Sequence, residues 1–167
     1  EGWSIRPQIT TFDLEGKTLG VLGMGRIGTA VARKASYGFG MKVLGYRRNL
    51  PGDICADYGI LTSDLDKVIR NSDFLSIHLP YTKDTFHLVS REKLELMKPD
   101  AYLLNLGRGE VVDQAALREL LLSNRLAGAA LDVFEGEIPD ADDPLLHMDQ
   151  VIATPHIAGL SKQAMER

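Results

Sequence analysis

One stretch of the sequence decides the fold: Thr18-Leu19-Gly20-Val21-Leu22-Gly23-Met24-Gly25-Arg26-Ile27-Gly28. Its first half is an apolar run that is too short for a helix and is stopped by glycine, which predicts a buried strand. Apolar residues then recur at helical spacing from Ile27 to Ala35, and the pattern closes at Gly38. A strand, a glycine-rich turn and a helix in this order are typical of a phosphate-binding turn.

Each glycine of this G-x-G-x-x-G turn has a separate task. Gly23 makes the tight turn, Gly25 lets the backbone approach a pyrophosphate, and Gly28 lets the helix pack closely on the strand. The free N–H groups and partial positive charge of the helix N-terminus favour an anion there. Chance could place three glycines at this spacing, but the register of strand, turn, helix and second strand argues for a dinucleotide site.

Further apolar runs separated by helical patterns continue the alternation. Predicted strands cover residues 41–46, 73–79, 101–105, 126–133 and 151–153. Predicted helices cover residues 65–70, 92–97 and 113–123, the last capped by Asp113. Continuous apolar strands alternating with helices predict an α/β fold, a Rossmann-type doubly wound parallel sheet with helices on both faces. We expect an interdomain linker over 1–16, the dinucleotide-binding domain over 17–155, and the start of a return helix over 156–167.

Composition excludes several other classes. The chain has 167 residues, of which 44% are hydrophobic and 25% charged, as in a soluble globular domain. A net charge of −4 argues against nucleic-acid binding, and no apolar run approaches the roughly 20 residues of a membrane span. A single cysteine, Cys55, excludes an internal disulfide and a cysteine-rich zinc site. We therefore expect a cytoplasmic protein without a metal site.

The end of the second predicted strand bears on the choice of dinucleotide. NAD enzymes usually carry Asp or Glu about 20 residues past the glycines, to hold the ribose 2′-hydroxyl. Here the sequence is Tyr46-Arg47-Arg48-Asn49, without an acid. The guanidinium groups of Arg47 and Arg48 suit the 2′-phosphate of NADP, which is slightly favoured over NAD. A solvated basic loop in an NAD enzyme remains the alternative.

Three segments that follow later strands carry reactive side chains. They are Asn105–Gly109 with Arg108, Leu131–Glu137 with two glutamates, and Thr154–Gly159 with His156. Ligands of open α/β sheets bind beyond the carboxyl ends of the strands, so we expect these loops to converge on one crevice.

Together these groups suit the reduction of a 2-oxo acid. Arg108 can clamp the carboxylate and polarise the carbonyl, and His156 can give a proton to the carbonyl oxygen as hydride arrives. A neighbouring carboxylate would orient the imidazole. Taken singly, Arg108, His156 and the glutamates are as compatible with surface loops. The other histidines are interpreted as a satisfied strand residue (His78) and as exposed residues (His87 and His147).

At these residues the chain resembles the D-isomer-specific 2-hydroxyacid dehydrogenases, over nearly its whole length. The resemblance implies that Arg108 binds substrate, that His156 is the proton donor and that Glu137 pairs with it. Ile138 intervenes before Pro139 where the family often has proline directly after the glutamate, so Glu135 is the alternative. Asp132 would meet the nicotinamide carboxamide. The resemblance also assigns to the cofactor site Arg26, Ile27, Leu79, Pro80, Leu106, Gly107 and Gly159. Arg108 and His156 are expected to contact the cofactor as well.

The predicted function is hydride transfer between NADP or NAD and a small 2-oxo or 2-hydroxy acid. The resemblance implies a homodimer and a second domain that closes over the cleft, so we expect this chain by itself to bind dinucleotide with little or no turnover. The residues do not rank glyoxylate, hydroxypyruvate, D-lactate, phosphoglycerate or phosphite as substrate. The alternatives are a non-catalytic, dinucleotide-sensing module like the C-terminal binding protein corepressors, or a Rossmann dehydrogenase acting on an amino acid or thioether.

Overall fold

A computed structural model describes residues 11–48 and 60–166. Most of the expected linker, together with Asn49 and Cys55, lies outside the described residues. The described strands are β1 (Thr18–Leu22), β2 (Lys42–Tyr46), β3 (Ile60–Thr62), β4 (Phe74–Ile77), β5 (Tyr102–Asn105), β6 (Gly128–Leu131) and β7 (Val151–Ala153). The described α-helices are α1 (Arg26–Phe39), α2 (Leu65–Asn71), α3 (Arg91–Leu94), α4 (Gln114–Leu122) and α5 (Lys162–Met165). None of these helices is long and apolar enough to span a membrane.

All seven described strands form one parallel sheet in the order β3-β2-β1-β4-β5-β6-β7. The chain builds outward from β1 to β3 and then returns to place β4 on the other side of β1. Leu22, the last residue of β1, is paired with Ile77, the last residue of β4. This confirms the predicted doubly wound fold and places the reversal of strand order beside the glycine-rich turn, where such sheets bind ligands.

Two apolar cores cover the sheet because successive side chains of a strand point to opposite faces. Val21 packs in a smaller core with Ala32 and Ala35 of α1. Its neighbour Leu22 packs in a larger core with side chains of α2, α3 and α4 such as Ile69 and Leu117. Complete burial of a large aliphatic side chain stabilises a fold by about 1.5–3 kcal/mol, so both helical layers hold the sheet.

Several element boundaries differ from the sequence prediction. Helix α1 continues past Gly38 to Phe39 and is capped by Gly40, whose backbone is left-handed (φ 63°) and whose N–H bonds to the Ala35 carbonyl. The predicted strands 73–79 and 126–133 are shorter at both ends, because the residues beyond the ladder form the loops at the sheet edge. Strand β3 was missed because it has three residues, two of them exposed. Asp113 caps α4 as predicted, accepting the Ala116 N–H at 2.9 Å.

At the edge of the sheet where the strands begin, Asp73 joins neighbouring segments. Its carboxylate accepts bonds from Lys98 Nζ at 2.6 Å and from the Thr18 N–H at 2.7 Å. Partial burial raises the pKa of Asp73, but the bonds from Lys98 and Thr18 outweigh it and hold the pKa below its ordinary value. A carboxylate with a lowered folded-state pKa adds stability above its unfolded pKa, and this is lost as the pH falls through the folded value.

We therefore expect Asp73→Asn to flatten the acid limb of the stability curve. The wild-type free energy of unfolding should fall more steeply than that of the variant below about pH 4, near the ordinary carboxyl pKa. Urea unfolding between pH 2.5 and 7 measures this difference. The control Asp100→Asn changes an exposed carboxylate nearby and should keep the wild-type slope. Parallel curves for wild type and Asp73→Asn would contradict the assignment.

Candidate active site

The glycine-rich turn connects β1 to α1 beside the ends of β2 and β4. Gly23 has a positive φ of 101°, and its N–H bonds to the Tyr46 carbonyl at 3.0 Å. A Cβ on Gly28 would lie 2.1 Å from the Gly23 carbonyl oxygen, so only glycine allows this close packing. Gly25 is exposed, and a Cβ there would meet nothing within 4 Å. The space in front of the α1 N-terminus is therefore open to an anion, as a dinucleotide pyrophosphate requires.

The two arginines after β2 are both exposed, as a group that meets a nucleotide must be. Arg48 Nη1 forms an ion pair with Asp84 Oδ2 at 2.8 Å, and the two side chains are 56% and 70% exposed. A pair this exposed contributes about 0–1 kcal/mol, because water and salt screen it. Arg48 can therefore leave Asp84 for a phosphate at little cost.

A buried asparagine shapes the turn that carries Arg108. The Asn105 side chain accepts the Gly107 N–H at 3.1 Å and donates to the Arg108 carbonyl at 3.0 Å. Asn105 is 1% exposed, so both of its bonds are shielded from water. The exposed Arg108 also donates from Nη1 to the Gly107 carbonyl at 2.7 Å. These bonds hold the arginine at the carboxyl end of β5.

A second buried polar residue, Asp132, holds the segment that carries His156. Its carboxylate accepts bonds from Thr154 Oγ1 at 2.6 Å, from the Ile157 N–H at 2.8 Å and from the Ala158 N–H at 2.9 Å. Its main-chain carbonyl accepts the His156 N–H at 2.9 Å. Burial raises the pKa of Asp132, but the bonds from Thr154, Ala158 and Ile157, and nearby His156, together lower it below its ordinary value. Asp132 therefore stays ionised while it fixes the backbone on both sides of His156.

The third segment forms a turn after β6. A Cβ on Gly109 would lie 2.0 Å from the Phe134 carbonyl carbon, so the turn rests directly on the backbone that follows Arg108. The two glutamates of the turn point to different partners. Glu135 Oε1 lies 3.0 Å from His87 Nε2, whereas Glu137 lines a cavity with His156. Of the two, Glu137, which the sequence analysis favoured, lies at the cavity with His156, whereas the alternative Glu135 contacts His87.

Three cavities surround His156. A cavity of about 170 Å³ is lined by Arg108, Glu137 and His156 together, with Tyr81 at its wall. A larger cavity of about 670 Å³ extends along the face of α1. It contains the predicted cofactor residues Ile27, Leu106, Arg108, Asp132, His156 and Gly159. A third cavity, of about 470 Å³, is lined by Glu137 and His156 together with Ile138 and Pro139.

Some predicted site residues lie outside these cavities. Arg26 lines a separate groove on α1 with Ile27. Leu79 and Pro80 follow β4, and the Leu79 carbonyl oxygen is only 2.7 Å from where a Cβ of Gly107 would stand. Gly107 is buried under that contact rather than lining a cavity. Arg47 and Arg48 lie at the end of β2.

The histidines other than His156 differ in how well the sequence predicted them, and one of them, His78, lines the 670 Å³ cavity. His78 Nε2 lies 2.9 Å from Ser76 Oγ, and burial lowers its pKa, in agreement with a satisfied neutral imidazole. His147 is exposed, as expected. The prediction that His87 is exposed was wrong, because its side chain is only 31% exposed and contacts Glu135.

Three polar residues that shape the site were not singled out from the sequence: Asn105, Thr154 and Gln114. Gln114 Oε1 accepts the Glu135 N–H at 2.8 Å. Asn105 could have been noticed as an amide that ends a buried apolar strand. Thr154 and Gln114 gave no comparable signal, since each forms its hydrogen bond with a group that is distant in sequence. Thr154 bonds to the Asp132 carboxylate, and Gln114 bonds to the Glu135 backbone.

Comparison with known proteins identifies the family to which this fold belongs. Residues 1–158 match the family model for the D-isomer specific 2-hydroxyacid dehydrogenase, NAD binding domain. The chain is 46% identical to a glyoxylate reductase of Korarchaeum cryptofilum over 156 residues, which are 93% of this chain and 47% of the relative.

Two solved structures have the same fold. D-lactate dehydrogenase from Aquifex aeolicus, complexed with NAD and lactic acid, has a TM-score of 0.86 and 38% identity, over 95% of this chain and 52% of that one. An acyclic imino acid reductase in complex with NADPH and D-Arg has a TM-score of 0.82 and 33% identity, over 99% and 53%. The chain thus spans about half the length of the proteins it matches. It belongs to the D-isomer-specific 2-hydroxyacid dehydrogenase family, whose NAD-binding domain it forms.

Proposed function

We propose that this chain is the dinucleotide-binding half of a reductase that transfers hydride from a nicotinamide to a small 2-oxo acid. The observation that carries the proposal is the cavity shared by Arg108, Glu137 and His156, which come from three different loops. The family supports the reaction class, since its relatives are named as glyoxylate reductase and D-lactate dehydrogenase.

Arg108 is proposed to bind the substrate. A guanidinium group is always charged and can grip a carboxylate through two parallel N–H donors, which fixes both the position and the plane of the substrate. The same charge favours the build-up of negative charge on the neighbouring carbonyl oxygen. Arg108 lines both the 170 Å³ and the 670 Å³ cavities, so it lies between the proposed substrate and cofactor spaces.

His156 is proposed to handle the proton, with Glu137 beside it. The nicotinamide supplies the hydride to the carbonyl carbon, and the imidazolium of His156 gives its proton to the carbonyl oxygen. In the oxidative direction the neutral imidazole takes the hydroxyl proton back. A carboxylate at the same cavity, that of Glu137, favours the charged imidazolium and orients the ring.

Both arginines after β2 are proposed to select NADP over NAD. They stand where NAD enzymes usually place an acid, and Arg48 is held only by an exposed ion pair. A similar solved structure contains NADPH, and another contains NAD, so the family supports a nicotinamide dinucleotide in either form. The homodimer implied by the resemblance stays a prediction.

A non-catalytic sensing module is not favoured, because the relatives and solved structures reported above are reductases and dehydrogenases. The likeness to an imino acid reductase favours one second candidate, in which the reduced bond is C=N rather than C=O. A panel of glyoxylate, hydroxypyruvate and pyruvate, each with and without an amine, separates the two. Turnover only with amine present would replace the 2-oxo acid proposal.

Substitutions in the glycine-rich turn should separate stability from dinucleotide binding. Gly28→Ala should destabilise the fold by about 1–3 kcal/mol, because its Cβ would overlap the Gly23 carbonyl. Gly25→Ala should keep the wild-type melting temperature and still weaken dinucleotide binding by about tenfold or more, because its Cβ enters the pyrophosphate space. Thermal unfolding and nicotinamide fluorescence titration measure the two effects. The control Gly38→Ala, on the exposed part of α1, should leave affinity unchanged; unaltered affinity in Gly25→Ala would disprove the placement.

Removal of the proton donor should abolish chemistry and spare cofactor binding. In the full-length protein, His156→Ala should lower kcat by about 10²–10⁴-fold, the usual contribution of a general acid. Glu137→Gln should lower kcat as well, because the amide carries no charge to favour the imidazolium. Dinucleotide affinity should stay near the wild-type value in both. The control His147→Ala alters an exposed histidine and should keep full turnover; wild-type kcat in His156→Ala would refute the assigned role.

The arginine pair should decide cofactor preference. Arg47→Asp should weaken NADPH binding by about tenfold to a hundredfold, the cost of losing a charged hydrogen bond, and should leave NADH binding close to wild type. Titration of both reduced dinucleotides into wild type and variant measures the selectivity. Arg70→Asp is the matched control, because α2 ends at the opposite edge of the sheet. Equal wild-type affinities for NADH and NADPH would rule out selection by these arginines.

A further inference from the structure

The loop between β4 and α3 contacts the turn that carries Glu137. His87 Nε2 lies 3.0 Å from Glu135 Oε1. An ionised carboxylate only accepts hydrogen bonds, so this imidazole nitrogen carries the proton and donates it. The side chains are 31% and 36% exposed, and neither residue lines the cavity of Arg108 and His156. The contact therefore joins two loops from outside the proposed reaction space.

Glu135 is held on its main-chain side as well. Its N–H donates to Gln114 Oε1 at 2.8 Å, and Gln114 Nε2 donates to Asp143 Oδ2 at 3.1 Å. Gln114 belongs to α4, whereas His87 belongs to the loop after β4. Glu135 is thus held at two points. Its backbone is bonded to Gln114 of α4, and its carboxylate is bonded to His87 of the loop after β4.

His87 is itself fixed in place. Its ring stacks on Phe86 with 4.0 Å between ring centroids and an angle of 14°. Phe86 in turn meets Tyr81, which lines the cavity, edge to face at 6.3 Å. The main-chain N–H of His87 donates to the Glu110 carbonyl at 2.8 Å, and the backbone φ of His87 is +46°. A non-glycine residue in this left-handed region costs about 1–2 kcal/mol, so the surrounding contacts must hold it there.

Glu137 stands only two residues beyond Glu135, across a tight turn. Gly136 has a φ of 82° and Glu137 has a φ of 67°. The Glu137 N–H bonds back to the Phe134 carbonyl at 3.2 Å. Because the turn is this short, the anchoring of Glu135 determines where the Glu137 side chain begins.

We propose that His87 is a positioning residue: by binding Glu135 it holds the turn 134–138 so that the Glu137 carboxylate stays at the cavity of Arg108 and His156. The chemistry that Glu137 performs there rests on the proposed function. The geometric part does not, because it concerns only the conformation of the turn.

Nuclear magnetic resonance of the ¹⁵N- and ¹³C-labelled chain tests the geometry without turnover. His87→Ala should shift or broaden the Glu137 amide and His156 imidazole signals and leave those of Gly23 and Gly25 unchanged. His87→Gln keeps an amide donor and should restore the wild-type signals. The control His147→Ala removes another histidine, whose Nε2 lies 2.8 Å from the Ala141 carbonyl oxygen at an exposed position, and should move neither signal. Unchanged Glu137 and His156 signals in a folded His87→Ala chain would overturn the proposal.

Variants of the partner keep the test decisive even if His87→Ala fails to fold. Glu135→Gln retains the acceptor oxygen and should resemble wild type, whereas Glu135→Ala should reproduce the shifts of His87→Ala. The double alanine variant should show no more displacement than either single variant, because one shared bond is lost. Fully additive shifts, or Glu135→Gln signals that match those of Glu135→Ala, would show that the hydrogen bond does not hold the turn.

Turnover in the full-length protein then tests the functional part. His87→Ala should lower kcat about tenfold through misplacement of Glu137, with KM for the 2-oxo acid within twofold of wild type because Arg108 is unaffected. His87→Gln should recover kcat. If the wild-type protein shows no turnover while His87→Ala shows the expected signal shifts, the proposed reaction is wrong and the positioning role of His87 still holds. Normal kcat in His87→Ala would defeat the positioning role itself.

Discussion

The loops that leave the carboxyl edge of the sheet lie closer together than side chains would allow. A Cβ on Gly23 would stand 2.7 Å from the His78 carbonyl oxygen, and one on Gly109 would stand 2.0 Å from the Phe134 carbonyl carbon. Protein interiors are packed too densely to absorb such overlaps without moving the backbone. Because Arg108, Glu137 and His156 come from separate loops, their shared cavity depends on this spacing. Glycines such as Gly23 and Gly109, which have no side chain, therefore set the distances between the loops of the site.

Two anion–amide arrangements organise the same edge. Asp132 supplies a fixed carboxylate to the amides of Ile157 and Ala158, which would otherwise be unpaired beside His156. In front of Gly25 the N-terminus of α1 offers amides with open space instead. The chemistry is the same in both places, but in one the anion belongs to the chain and in the other it must arrive with the nucleotide. The arrangement at Asp132 fixes the loop that carries His156, and the arrangement at the α1 N-terminus leaves a binding site for an anion.

The sequence predicted the features that depend on local pattern. The strand, turn and helix around Gly25 are encoded within about 20 residues, and the parallel order follows from their repetition. The end of α1 was missed because Gly38 and Gly40 are both plausible stops, and only the left-handed backbone of Gly40 distinguishes them. The contact of His87 with Glu135 joins residues 48 positions apart, and no periodicity encodes such a pair. For the same reason the sequence favoured Glu137 only through the family resemblance and kept Glu135 as an alternative.

Glu137 and His156 both occupy the left-handed region of backbone conformation, with φ of 67° and 55°. Glycine adopts this conformation freely, whereas other residues lose about 1–2 kcal/mol each. At both positions the most stable residue and the useful residue are therefore different. A directed-evolution screen that rewards heat resistance alone would drift towards glycine there and remove the two side chains that are proposed to handle the proton. Thermostabilisation of this domain should exempt these two positions and begin on surfaces remote from the cleft.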